Sequence, residues 1–432
     1  MLSFFKKIDL LKIVFLLVIT SVFYMYSNLY YANCFPNCYA WKEFMIKWSH
    51  GEMIRRGLLG SFFYWLEPNF PIKYSVTIVV YSCLIICSNY IYNCLKRLGL
   101  PVWLFISILF SPALFLFNLH PSLVYKKDII AIAGTVILLS YINYYWNHHV
   151  RQNNNLQNSV IVFCLIYMYI YTFFLLCYEV IFVFVPFICI YAIYIISMHH
   201  QIKIAIKISV FLCFISAFLF LFFTILYIGD QKIVLNILGD WSIIYPNLKL
   251  GQVDPFNFLM MNNEHLKVWH HYIWERSKLW ELVLVYILMI LPLIIIYKMK
   301  LVTICIHEGI KDAHNKHYYI LMAAVLLSVH FPLILSVVAF DYGRWLIFCF
   351  YLMIFFLGLF TKRNKNLNSK NKKFSLFLLL LIWCATFVYL VTWQPYHWAG
   401  DEGHLINMNE YYVFSNLYYF YSNMSNLFLI FH

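Results

Sequence analysis

From Tyr74 to Leu95 the chain runs 22 residues without a charge, YSVTIVVYSCLIICSNYIYNCL, and Lys96 and Arg97 close the run. Wound as an α-helix, such a run is about 33 Å long, the thickness of a bilayer's hydrocarbon core. Runs of this kind recur along the chain. They predict helices near 12–30, 74–95, 102–118, 129–146, 160–177, 180–198, 208–228, 281–298, 318–339, 345–360 and 374–392. A segment near 411–430, rich in Tyr and Asn, is either a further span or an interfacial stretch. The expectation is an all-α, polytopic integral membrane protein with about 11–12 transmembrane helices, forming one membrane domain over residues 1–432.

Composition excludes the obvious alternatives. Hydrophobic residues make up 63% of the chain and charged residues 11%, too little polar surface to cover a soluble domain. Lys6 and Lys7 precede the first apolar run as in a signal peptide, but no small-residue cleavage site follows, so it reads as a retained helix. The formal charge of +13 is scattered in short clusters between apolar runs, which fits membrane topology better than nucleic acid. Nearly all of the 12 cysteines lie inside apolar runs, where cysteine is a small hydrophobe. Cys34 and Cys38, in ANCFPNCYAW, are the exception, and an external position would allow a structural disulfide between them.

Alternate loops differ in charge. The N-terminal lysines, Lys96 and Arg97, Arg151, Lys203 and Lys207, Lys298 to Lys316 and the basic loop 361–373 hold 18 of the 31 Lys and Arg. Those loops hold three of the 18 acids, namely Asp9, Glu308 and Asp312. This set is cytoplasmic by the positive-inside rule, with the N-terminus inside. The first external loop is then 31–73, with an amphipathic segment, and the large external loop is 229–280.

Positive charge on the external side works against topology and calls for another reason. Arg55 and Arg56 lie in GEMIRRGLLGSFFYWL of the first external loop, and Lys126, Lys127 and Asp128 in HPSLVYKKD between the third and fourth runs. Glu179 lies at an external turn, and Asp341 and Arg344 at another, in AFDYGRW. The large loop adds Glu264, His265, His270, His271, Glu275 and Arg276. Each has a plainer reading. Asp341 and Arg344 pair across a tight turn, lysines snorkel, and the arginines anchor an interfacial helix at lipid phosphates. The functional reading rests on four loops bringing bases and a few acids to one face.

Guanidinium groups at an external membrane surface suit a phosphate, and a lipid pyrophosphate sits at that depth. The same groups stabilise charge developing on a departing pyrophosphate, while a carboxylate takes the proton of an attacking hydroxyl. Arg55, Arg56 and Arg344 are the candidate pyrophosphate binders, with Lys126 and Lys127 assisting and His270 and Arg276 as further substrate contacts. Glu179 is the preferred base and Asp341 the alternative. No metal or other cofactor is called for: HEG at 307–309 is isolated, and EHLKVWHH lacks a ligand spacing. Trp241, Tyr245, Trp269, Tyr272, Trp274 and Trp280 suit either a saccharide groove or an amphipathic helix lying on the bilayer over 264–280. The tail from Trp393 to Glu410, with Asp401, Glu402 and His404, reads as a loop at the entrance.

On these residues the chain resembles the bacterial O-antigen and capsule repeat-unit polymerases, the Wzy-type membrane glycosyltransferases. IRRGLLG looks like an arginine-glycine motif of one subgroup, and YKKD resembles a basic-basic-acidic motif with lysine in place of arginine. Tyr178–Glu179 stands where a His-Glu pair is expected, and DYGRW is the nearest match of the four. The resemblance implies a metal-independent polymerase in the bacterial inner membrane with its active site facing the periplasm. Its substrate would be an undecaprenyl-pyrophosphate-linked oligosaccharide, its other partners membrane lipids and a chain-length regulator, with no nucleic acid. Three rivals stand beside it. A transferase using polyprenyl monophosphate would want an acidic pair in the first external loop, where Glu43 and Glu52 lie apart. A flippase would carry charges inside its helices. A membrane acyltransferase would need a histidine arrangement that the chain does not offer.

Overall fold

The computed structural model describes residues 9–37, 39–49, 52–54, 56–98, 127–145, 179–197, 229–250, 255–260, 302–304, 323–333 and 342–363, with scattered positions near 100–109, 166–171 and 207–222. The described elements are helical apart from one ribbon of two three-residue strands. In chain order they are α1 (Leu10–Cys34), α2 (Tyr39–Met45), α3 (Gly57–Leu66), α4 (Ile72–Leu98), α5 (Asp128–Tyr145), a 3-10 turn (Glu179–Phe184), α6 (Val185–Ser197), α7 (Gln231–Ile244), α8 (Pro255–Met260), β1 (Val302–Ile304), α9 (Tyr342–Phe360) and β2 (Thr361–Arg363).

The uncharged run from Tyr74 to Leu95 becomes α4, and α1, α3, α5 and α9 all pack on it. Among the described residues it is the one helix long and apolar enough to cross a membrane. Against α1, Tyr81 meets Thr20 Oγ1 at 2.9 Å and the Phe23 ring at 5.2 Å. Against α9, Tyr90 meets Phe355 edge-on at 5.4 Å. Gly358 lets α9 and α4 close up, since a Cβ there would fall 2.5 Å from Cys94 Sγ. A residue without a side chain at such a contact lets two helix backbones approach closely. Five predicted spans are thus matched by described helices: α1, α4, α5, α6 and α9. Residues 323–329, inside the predicted span 318–339, are also helical. The predicted spans 281–298, 374–392 and 411–430 lie outside the described residues, as do the helix 264–280 and the Cys34–Cys38 side chains.

Polar contacts join segments that the charge count put on the same side. At the end assigned to the cytoplasm, Asp9 caps α1 by accepting from Lys12 N at 3.4 Å. It also accepts from Tyr92 OH at 2.7 Å and pairs with Lys96. Burial raises the Asp9 pKa, but the bonds from Lys96, Tyr92 and the Lys12 amide outweigh it and hold the carboxyl below its ordinary value. Near the same end, β1 and β2 pair antiparallel with Val302 opposite Arg363, joining two of the basic loops; a ribbon this short leaves the described part of the chain in the expected all-α class. Three residues apiece are too few to leave a period-two pattern.

At the other end, the one the charge count assigned to the outside, α2, α3, α7 and α8 pack into a cap. Gly60 of α3 sits on the backbone of α2's exit, where a Cβ would lie 1.8 Å from Ile46 O. Ser61 Oγ accepts from Trp48 N and donates to Gly57 O, both at 2.9 Å. Glu67 ends α3 and opens α4 by accepting from Ile72 N. α7 is then clasped onto the first loop. Lys47 Nζ pairs with Asp240 at 2.5 Å, Ser49 Oγ donates to the same oxygen at 3.0 Å, and Trp241 Nε1 donates to Met45 O at 2.8 Å. Tyr245 OH donates to Glu67 at 2.6 Å, and Lys42 Nζ to Lys249 O at 2.5 Å.

That clasp corrects one sequence expectation. Trp241 does not line a saccharide groove: it is fully buried, with Tyr64 edge-on at 5.0 Å. A tryptophan on the inner stripe of an amphipathic helix gains most by filling the core and satisfying its N–H there.

Candidate functional site

The site grows from the start of α3. Arg56 is its N-cap and holds a left-handed backbone, φ 66° and ψ 4°, without a capping side chain. Such a conformation costs a non-glycine residue of order 1–2 kcal/mol, so the surroundings must hold it. They do so from two sides. Lys127, from the turn that starts α5, donates from Nζ to the Arg56 carbonyl at 3.3 Å. The Arg56 guanidinium lies 3.8 Å from Glu43 Oε1 on α2. Phe44, next to Glu43, places its ring 5.6 Å from Lys127 Nζ, in reach of a cation–π contact.

Burial separates the members of this cluster. Lys127, Asp128 and Glu43 are buried, with 1%, 0% and 2% exposure. Arg56, with 19% of its side chain exposed, is the most open of the four. Asp128 is the first residue of α5, where the helix dipole favours a negative charge. Two bases and two acids leave the group close to neutral, which lets it be buried. Glu43 Oε2 nevertheless has no hydrogen-bond partner, a costly condition for a buried carboxylate oxygen.

Of the sequence-predicted residues, the structure brings Arg56 and Lys127 together. Glu179 opens the 3-10 turn, which packs on α5, and Arg344 lies in the first turn of α9. Phe184 of that turn and Phe348 of α9 meet at 5.2 Å, so both segments reach the same part of the fold. The side chains of Glu179 and Arg344, and all of Arg55, Lys126, Asp341, His270 and Arg276, lie outside the described residues. Sequence reasoning missed Glu43 as a partner of Arg56. It stands beside Lys42 in YAWKEFM, a pattern no different from a solvated charge pair, and burial alone marks it. Glu52 is exposed and bridges Ser49 through its backbone, so the two first-loop acids do not form a pair.

The flanking polar contacts are structural. Burial, then the bond to Glu67, pushes the Tyr245 hydroxyl well up, and burial with the charge of Asp240 pushes up Tyr64. Both phenols therefore stay neutral hydrogen-bonding groups. No group of three or more His, Cys, Asp or Glu able to hold a metal occurs among the described residues. Chemically, the start of α3 holds a partly exposed guanidinium, paired with the buried Glu43, above a buried lysine that grips the Arg56 carbonyl. Guanidinium is the side chain best suited to an anionic oxygen. No family model, characterised protein or solved structure matches the chain, so the site stands on its own residues.

Proposed function

We propose that the chain is a polytopic inner-membrane glycosyltransferase that polymerises undecaprenyl-pyrophosphate-linked oligosaccharide repeat units at the periplasmic face. One observation carries this reading: across 71 positions, Lys127 Nζ reaches the Arg56 carbonyl at 3.3 Å, which puts two of the candidate bases in one place at the end of the fold opposite the Asp9–Lys96 clasp. The membrane part is supported by apolar side chains turned outward along α1, α4 and α5, among them Leu17, Ile78 and Ile137.

In the proposed reaction the acceptor sugar's hydroxyl attacks the anomeric carbon of the growing glycan. The new C–O bond forms as the bond to pyrophosphate breaks, and the lipid pyrophosphate leaves with the bonding pair. Arg56, with Arg55 and Arg344, binds the oxygens on which charge develops. Lys127 acts from beneath, holding the Arg56 backbone and adding positive field. Glu179, or alternatively Asp341, accepts the hydroxyl proton.

Complementation tests it. The gene is deleted in its host and restored as wild type, Arg56→Ala or Lys127→Ala, and surface polysaccharide is resolved on a gel. Loss of the ladder with a single repeat still attached to its lipid acceptor supports polymerisation. An unchanged ladder in Arg56→Ala rejects it. A second reading, transfer from a polyprenyl monophosphate, draws on Glu43 lying beside Arg56 in the first external loop. It predicts that even the single repeat disappears or loses one sugar.

A further inference from the structure

The outer surface of the external cap is apolar where water would be expected to select polar residues. α3 carries no charge from Gly57 to Leu66 and is apolar on both faces. One face buries Gly57, Gly60 and Phe63 against the cap. The opposite face leaves Phe62 49% and Trp65 72% exposed, their rings 6.3 Å apart. Four residues beyond α3 the patch continues through Phe70 (40%) and Tyr74 (56%), whose rings lie 6.4 Å apart. On α7, Leu235 (56%) and Ile243 (79%) stand outward, opposite the stripe that buries Val234, Ile237 and Trp241.

We infer that α3 and α7 lie on the outer leaflet of the lipid bilayer, with these six side chains set into the boundary between headgroups and acyl chains. This rests on the membrane part of the reading above, with α4 as a span. Continuity picks the occupant. Tyr74 is one turn from Ile78, which faces outward from α4 at 55% exposure, so the Phe70–Tyr74 part of this surface continues into the side of the spanning helix. A surface joined in this way to a lipid-facing side meets lipid first. The chemistry agrees: tryptophan, tyrosine and phenylalanine gather at the interface, and Lys73, with Nζ 6.0 Å from the Tyr74 ring, has its cation at headgroup level. Lys232, one turn before Leu235 on α7, is exposed beside the patch and complements lipid phosphate. A helix lying in this plane holds its N-cap at the same level, so Arg56 comes to the depth at which a polyprenyl pyrophosphate presents its oxygens.

The test is photocrosslinking of the full-length chain in nanodiscs of mixed zwitterionic and anionic phospholipid. The photoreactive residue p-benzoylphenylalanine replaces Trp65, Ile243, Ile78 or the buried Phe63, one at a time, and adducts are read by mass spectrometry. Phospholipid adducts at positions 65, 243 and 78, with none at 63, are expected. Adducts at 78 but at neither 65 nor 243 overturn the inference and leave the spanning helix standing. Adducts to a second copy of the chain at 65 or 243 overturn it too, making the patch a dimer contact. Absence of lipid adducts at 78 as well removes the span, and the inference falls with it.

Discussion

Two glycines and one arginine show how single positions hold the site. Gly60 has no room for a methyl group, with Ile46 O 1.8 Å from an ideal Cβ, whereas Gly239 on α7 has nothing within 4 Å. Gly60→Ala should therefore lower thermal stability by about 1–3 kcal/mol or more through overpacking. Gly239→Ala should raise it by about 0.5–1 kcal/mol through helix propensity. Melting curves of the two purified variants check both signs. Arg56 separates strain from chemistry. Arg56→Ala and Arg56→Gly both remove the guanidinium from Glu43, but glycine accepts φ 66° without penalty. Arg56→Gly should melt higher than Arg56→Ala, by about 1 kcal/mol, while both lose the polysaccharide ladder. Equal melting points would mean that the left-handed backbone costs nothing. The RR pair stood out in the sequence because arginines in a loop assigned to the outside defy the charge rule. The partner Glu43 was not, since burial of a charge leaves no trace in a local pattern.

Between elements, two polar clasps fix opposite ends of the fold. Lys47 is buried against Asp240, so Asp240→Asn leaves an uncompensated cation and should release α7 from the first loop. Breaking a buried pair in this way costs about 3–5 kcal/mol. Limited proteolysis should then cut near 231–250 faster than in wild type, and a cut rate equal to wild type would show that Trp241 and Tyr245 suffice. The Asp9–Lys96–Tyr92 clasp predicts a pH dependence. Because the folded Asp9 pKa is lowered, its contribution is complete above the unfolded value of about 3.9 and fades as pH falls through the lower, folded value. Wild type and Asp9→Asn should therefore differ by a constant amount in melting temperature from neutral pH to about 5 and converge only in stronger acid. A difference that already disappears near pH 6 would contradict the sign. Long helices such as α4 were readable from their uncharged runs; the β1–β2 ribbon and the 3-10 turn at Glu179 were not, because three to six residues hold no period.

For the whole molecule, the proposed sidedness is the property to test. Cysteines placed at exposed Glu52 and Lys249 should react with a membrane-impermeant maleimide from the external side. One at exposed Arg97 should react only after permeabilisation. Labelling of all three from one side would remove the membrane topology and the proposed function with it. The sequence by itself determined helix class and the positions of the longer helices. It also proposed which loops share a side, because apolar run length and lysine–arginine asymmetry are one-dimensional quantities. Asp9 meets Lys96, Arg56 meets Lys127, and Lys47 meets Asp240, each pair drawn from loops assigned to one side. What only the tertiary structure decided is which charges are buried and what each one faces. Lys47 and Asp240 are 193 positions apart, and Trp241 changed from a sugar-stacking candidate to a core residue once α7 was clasped onto the first loop. Burial and pairing are properties of several segments together, and no single stretch of the chain encodes them.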